Sequence, residues 1–494
     1  MNRYLATAVV IVSSAAVLVL EVAVTRLVAP YAGDTLETYT AAIGVALGAI
    51  ALGAKLGGDA ADRMHPPKLL GPLLVFGGGT TMLARPIVLG LGPALTGAGP
   101  ITALLLVALS IALPVTLLSA VTPVVVKTQL ADLDRAGGVV GRFSAWGTVG
   151  ALAGTFLTGY VLIAALPISM VLLVTGIGLA VLGALLLLRG GLPRGRSVPA
   201  MAVVLLLGAG LLVSVRSPCD AETAYFCARV ETDPERATGR VLLLDDLRHG
   251  YVDLADPAHL EFGYTRWFAA SVDALAPKGP LDALHVGGGA YTMPRWLAAD
   301  RRGSRSEVLE IDPAVTRLAE AELDLRPGPA LRVRQGDART AITASRDDGY
   351  DVVFGDAFGG LSVPWHLTTV EFATEVRRVL RTDGRYVANI IDRGPRDFLA
   401  AEVATLGRVF EHVAVIAPEE SLDAPEGGNH VVVASDAPIP AGRLSDAVAA
   451  AGDPQGADKG ALAGRGRVAD WAERGTVLTD DHAPVDQLLT PYLS

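Results

Sequence analysis

Four stretches in the second half of this 494-residue sequence each close an apolar run with glycine or a carboxylate. They are HVGGGAYT (285–292), SEVLEID (306–312), LRVRQGDA (331–338) and YDVVFGDA (350–357), the last continuing as FGGLSVPWHLTT (358–369). Gly287, Gly288 and Gly289 let a backbone approach a ligand closely and aim the next helix at it. Glu310 ends the second run about twenty residues later, where an acid accepts hydrogen bonds from ribose hydroxyls. Asp337 and Ala338 end the third, where a carboxylate accepts from an exocyclic amine such as that of adenine. No phosphate-binding lysine accompanies them and GGGAYT is not a P-loop. A nucleoside of the S-adenosylmethionine type therefore suits the set better than a dinucleotide. The competing reading makes Glu310 and Asp337 mere helix caps. Asp356 can face a bound sulfonium or cap the turn after it. His366, ten residues on, can act as a base near neutral pH or simply satisfy loop backbone groups.

These residues need a frame that gathers strand ends. From 281 onward short apolar runs alternate with amphipathic segments, the pattern of a mostly parallel sheet covered on both faces. RYVANII (385–391) follows a predicted helix over 369–380 and an Asp383–Gly384 turn. HVAVIA (412–417) and NHVVVAS (429–435) read as a final antiparallel pair. Ligands of such α/β sheets bind outside the carboxyl ends of the strands. The polar residues above all fall there.

The first 216 residues are of another kind, rich in Ala, Val, Leu, Ile and Gly and poor in charge. A bilayer span takes about 20 apolar residues. Seven such stretches are expected, at 5–28, 40–58, 69–92, 100–125, 144–165, 168–188 and 198–215. The first is too long for a cleaved signal peptide and contains Glu21. Lys55, Arg63 and Lys68 mark the second connection, Lys127, Arg135 and Arg142 the fourth, and Arg189, Arg194 and Arg196 the sixth. The first connection carries Asp34 and Glu37 instead. The positive-inside bias puts the basic connections in the cytoplasm, and an odd number of spans then leaves residues 217–494 outside. Cys219 and Cys227 either pair there, in an oxidising compartment, or remain buried thiols. Glu21 and Arg85 are ionisable at membrane depth and read as a polar site or as a packing pair, Glu21 with Arg26 or Arg85. A net charge of −10 without a basic stripe argues against nucleic acid. Two cysteines exclude a zinc cluster, and no metal is expected.

Taken together, residues 217–494 resemble the polyamine aminopropyltransferases, the spermidine and spermine synthases. The whole chain is similar to the membrane-fused branch, often called fused major-facilitator/spermidine synthase proteins. The resemblance rests on ETAYFCARV (222–230), LLLDDLRHGYVDLADP (242–257), HVGGGAYT, VLEIDP (308–313), GDAR (336–339), GDAFGGLSVPWHLTT (355–369), LTDDHAPVD (478–486) and LEVAVTRLVAPYAG (20–33). LGGDAADR (56–63) resembles a major-facilitator loop, although seven spans fall short of that fold. The resemblance implies a membrane domain over 1–216 and a nucleoside-binding domain over 217–494. Within the latter it implies a β-rich cap (222–255) on a Rossmann-like core of the class I methyltransferase type (281–435). It further implies transfer of an aminopropyl group from decarboxylated S-adenosylmethionine to an amine or polyamine, with Tyr225 and His249 on the substrate side. The implied partners are a lipid bilayer and a small amine, and a homo-oligomer is an open option.

The amine half departs from the family. Its Gly-Gly-Gly-Asp reads Gly-Gly-Gly-Ala290, and the second acid of its Asp-x-x-Asp, which deprotonates the attacking amine, is Gly359. Its Tyr-Gln pair is Tyr225-Phe226, and a further glutamine is His249. Its Asp-Glu-x-x-Tyr-His-Glu has no clean counterpart in DPAHLEFGY (256–264). Asp356, His366, His249 from the cap and, nearer the C-terminus, Asp480 and Asp481 are the groups left to compensate. Three functions follow: an aminopropyltransferase, an S-adenosylmethionine-dependent methyltransferase-like enzyme, or a non-catalytic nucleoside or polyamine sensor.

Overall fold

A computed structural model describes residues 2–489 apart from 34–35, 96–99, 131, 191–196, 216, 246, 361, 419, 423–426 and 453–458. Asp34, Arg194 and Arg196 lie outside the described residues. The chain divides into two compact units, one of residues 1–227 with the last two residues and one of 228–492.

Six helices of the first unit are long and apolar enough to cross a membrane: Arg3–Ala32, Leu36–Arg63, Pro67–Leu95, Ile101–Gln129, Ala136–Leu162 and Ile168–Arg189. The seventh expected span is a shorter apolar helix, Val198–Ser214. Small residues set the packing. Gly150 and Gly154, four apart, press against the backbone of Ile11 and Ala15 so closely that a Cβ would strike their carbonyl oxygens. Large apolar side chains such as Leu47, Leu109, Phe156 and Leu206 point outward. Arg85 is buried, but its partner is not Glu21. Its Nη2 sits 3.0 Å from Glu222 Oε1 and its Nη1 donates to Val215 O at 2.9 Å, a carbonyl orphaned at the end of the preceding helix. Cys219 and Cys227 form a disulfide with a Cα separation of 5.1 Å, around the two-residue strand β1 (Ala221–Glu222).

The second unit begins within the first of three antiparallel strands, β2 (Cys227–Thr232), β3 (Gly239–Leu244) and β4 (Leu247–Asp253). An eight-stranded sheet follows: β5 (Asp282–Val286), β6 (Arg305–Glu310), β7 (Leu331–Gln335), β8 (Tyr350–Gly355), β9 (Leu380–Asp392), β10 (His412–Pro418), β11 (Gly428–Ser435) and β12 (Gly460–Leu462). Its order is β12-β10-β11-β9-β8-β5-β6-β7. Strands β5 to β9 pair in parallel, while β11, β10 and β12 add antiparallel. The expected terminal pair is thus followed by a further edge strand. The expected Asp383–Gly384 turn falls inside β9, which runs unbroken after the helix Val370–Val379. The apolar runs are buried because helices cover both faces: Phe372, Val376, Phe398 and Leu406 on one, Trp267, Phe268 and Trp296 on the other. Chain order reverses between β5 and β8, so the crevice of this sheet opens where those two strands end.

Candidate nucleoside and amine site

The crevice is built from the turn after β5. Gly287 has φ of +95°, a conformation that favours glycine, and its Cα faces the backbone of Asp356 with no room for a Cβ. The Gly287 N–H donates to Leu309 O at 3.0 Å and the Asp356 N–H to Val286 O at 2.9 Å, which continues the ladders past the strand ends. Gly289, at φ +51°, passes the turn to Tyr291, itself left-handed, ahead of the helix Thr292–Asp300.

Glu310 ends β6 and is 7% exposed. Its Oε2 accepts the Gly288 N–H and its Oε1 the Asp312 N–H, both at 2.8 Å. Burial raises its pKa, and these N–H donors oppose the rise. Capping of the next helix falls to Asp312, whose carboxylate accepts from Ala314. Glu310 is therefore not a helix cap: it binds the glycine turn to β6, and each oxygen retains a second acceptor lone pair.

Asp337 follows β7 and does cap a helix. Its Oδ1 accepts the Arg339 N–H at 2.8 Å at the start of the short helix Ala338–Ala341. Its Oδ2 lies 3.2 Å from His366 Nε2. The Gly336 N–H donates to Glu310 O at 2.8 Å, which places the ends of β6 and β7 side by side. Trp365 is half exposed and meets the His366 ring edge-on.

Asp356 stands at the reversal point. Its Oδ2 accepts the Tyr264 hydroxyl and its Oδ1 the Asn389 amide, each at 3.0 Å. Asn429 in turn donates to Asn389 Oδ1 at 3.0 Å. Enclosure by protein pushes the Asp356 carboxyl up to about 6, against the pull of the two hydrogen bonds. Tyr264 and Asn389 were not singled out from sequence, though both leave a trace there. Glu261-x-x-Tyr264 matches part of the Asp-Glu-x-x-Tyr-His-Glu motif, and Asn389 interrupts the apolar run of β9.

The two substituted positions differ in kind. Ala290 is 2% exposed and packs on Gly250 of β4, where a Cβ would lie 2.5 Å from its own. Gly359 is open: its N–H donates to Ser362 O at 2.8 Å, and a Cβ would meet nothing nearer than 4.0 Å. His249 runs along the glycine turn, and burial lowers its pKa to about 4, so it is neutral at physiological pH. Tyr225 belongs to the first unit, where its ring faces the Arg26 guanidinium at 5.6 Å. Asp480 sits in a turn closed by Thr479 and His482 and pairs with Arg339 at 2.6 Å. Thus Gly287–Gly289, Glu310, Asp337–Ala338, Asp356 and His366 gather along one sheet edge beside His249, while Tyr225 lies in the other unit.

No family model matches the chain. Among curated proteins, it is 32% identical over 235 residues to a polyamine aminopropyltransferase of Vibrio vulnificus (strain CMCP6), covering 46% of this chain and 75% of that one. It is 31% identical over 432 residues to polyamine aminopropyltransferase 2 of Streptomyces coelicolor, covering 82% of this chain and 77% of that one. Of solved structures, a probable spermidine synthase from Corynebacterium glutamicum ATCC 13032 aligns with 53% of this chain and 95% of its own at 29% identity and a TM-score of 0.48. Spermidine synthase from Thermotoga maritima aligns with 50% of this chain and 84% of its own, at 16% identity and a TM-score of 0.37. With three quarters of both these relatives matched, and the Streptomyces match too long for the α/β unit alone, this chain belongs to the polyamine aminopropyltransferase family.

Proposed function

We propose that this protein is a membrane-bound aminopropyltransferase, with decarboxylated S-adenosylmethionine as donor and an amine as acceptor. The observation that carries the reading is Asp356, half-buried at the sheet's reversal point with both oxygens held by Tyr264 and Asn389. An acceptor amine is an ammonium at neutral pH and must lose a proton before it can attack, and a base that titrates near 6 matches that task. In this scheme Glu310 takes the ribose hydroxyls, Asp337 with Ala338 takes the adenine, and Gly287–Gly289 let the backbone reach the sulfur end. The amine lone pair attacks the carbon bonded to the sulfonium. The carbon–sulfur bond breaks toward sulfur, methylthioadenosine leaves, and the amine's proton passes to Asp356. Asp356 thereby stands in for the acid that the family has at position 359. His366 serves the nucleoside end through Asp337.

The missing acids at 290 and 359 bear on the substrate. Each carboxylate facing a partly desolvated ammonium contributes on the order of a factor of ten in affinity. A site without both favours an acceptor less dependent on a second charge than a simple diamine. The Ala290–Gly250 packing also supports a second reading, methyl transfer from S-adenosylmethionine, because no carboxylate there selects a donor amine. Incubating the full chain in detergent with either donor and a panel of amines separates the two. Methylthioadenosine marks the first, S-adenosylhomocysteine the second, and nucleoside binding without either product marks a sensor.

On orientation, we propose that Val198–Ser214 is a seventh span and that the α/β unit faces the oxidising side. The Cys219–Cys227 disulfide and the basic second and fourth connections support this.

A further inference from the structure

Asp480, near the C-terminus, joins three elements that serve the nucleoside end. Its Oδ2 lies 2.6 Å from Arg339 Nη2, and its Oδ1 accepts the Thr369 hydroxyl at 2.8 Å. Its own N–H donates to Glu371 at 3.1 Å, and the Val370 N–H reaches Leu478 O at 2.9 Å, which fastens the C-terminal turn to the start of the helix Val370–Val379. Arg339 is consequently held at both ends. Its guanidinium is on Asp480, and its backbone N–H is on Asp337 Oδ1 at 2.8 Å. Thr369 caps the helix that follows the loop carrying His366, whose Nε2 contacts the other Asp337 oxygen.

The Arg339 contact that aims the Asp337 carboxylate therefore leads back to Asp480 directly, and the His366 contact does so along the chain, three residues before Thr369. An exposed surface ion pair normally contributes little, and Asp480 is 44% exposed at its side chain. Its significance is geometric, because one carboxylate sets the guanidinium and the threonine hydroxyl together. We propose that Asp480 is a positioning residue for base recognition: through Arg339 and Thr369 it fixes the direction in which Asp337 presents its free lone pairs to an exocyclic amine. This rests on the proposal that Asp337 reads adenine.

The test compares methylthioadenosine with its analogue lacking the 6-amino group, with binding to the full-length protein in detergent measured by calorimetry. The wild type should prefer the amino nucleoside roughly tenfold, as a hydrogen bond to a charged group implies. Asp480→Asn should cut that preference to about twofold while leaving affinity for the deamino analogue unchanged. Arg339→Gln should remove the part of the preference that runs through the guanidinium, and the double variant should be no worse than Asp480→Asn, since the arginine acts through that carboxylate. If the wild type shows no preference, the adenine assignment to Asp337 fails. If the wild type discriminates and Asp480→Asn still does so, or loses affinity for both ligands alike, the positioning role is overturned.

Discussion

At the scale of residues, two carboxylates carry opposite consequences of burial. Asp356 keeps two donors, so its carboxyl, at about 6, remains ionisable in the physiological range. The general base must be unprotonated, so turnover should rise with pH through about 6 and level off above it. Asn389 donates to the ionised form and so lowers the pKa. Asn389→Ala should move the acid limb of the pH–rate profile to higher pH, and a profile that stays in place would remove Asp356 from that role. Glu402, 4% exposed, has no partner for Oε1 among the described residues, and burial holds its pKa well above the ordinary 4.5. An acid whose folded pKa is raised loses stability for the fold as pH climbs above its unfolded value. Glu402→Leu should therefore raise the melting temperature, by more at pH 8 than at pH 5, with the unpartnered group costing about 1–3 kcal/mol. Equal gains at both pH values would show that the carboxyl is satisfied in solution. A sequence signal for Glu402 exists: in FLAAEVATL it takes the apolar face that Phe398 and Leu406 define.

At the scale of elements, the loop between β8 and the helix Val370–Val379 is where the family pattern is most altered and most easily restored. The space beside Gly359 admits a side chain without displacing anything. Gly359→Asp should strengthen a diamine acceptor roughly tenfold, seen as a lower KM for the diamine. Ala290→Asp should instead lower the melting temperature, since that Cβ is buried against Gly250. A destabilised Gly359→Asp or a well-tolerated Ala290→Asp would contradict this contrast. The strand ends were legible in sequence because a parallel strand buried on both faces is a short apolar run, and the glycine or acid that follows marks its exit. The partners of Asp356 were not. Tyr264, in the first turn of the helix Gly263–Leu275, lies 92 residues away and Asn389, in β9, 33, and only the packing of that helix beside the sheet brings them together. Likewise the sequence shows Asp480 only as a turn acid, because its partners Arg339 and Thr369 lie 141 and 111 residues away.

At the scale of the whole molecule, composition separates an apolar stretch ending near residue 216 from a more charged remainder, while the two compact units divide after Cys227. Span counting was less secure, because Val198–Ser214 falls short of the other six and one span more or less reverses the side of everything after it. A membrane-impermeant maleimide applied to intact cells tests the side directly. The proposed orientation expects Cys219 and Cys227 to be unreactive at first and labelled after reduction. Labelling only after the membrane is opened would place the α/β unit inside.

Aminopropyl transfer is read most directly as release of methylthioadenosine by the full-length protein given decarboxylated S-adenosylmethionine and an amine panel. Release should occur with at least one amine and fall by a hundredfold or more in Asp356→Asn while nucleoside binding persists. Undiminished release by Asp356→Asn, or nucleoside binding with no release for any amine, would contradict transfer with Asp356 as the base.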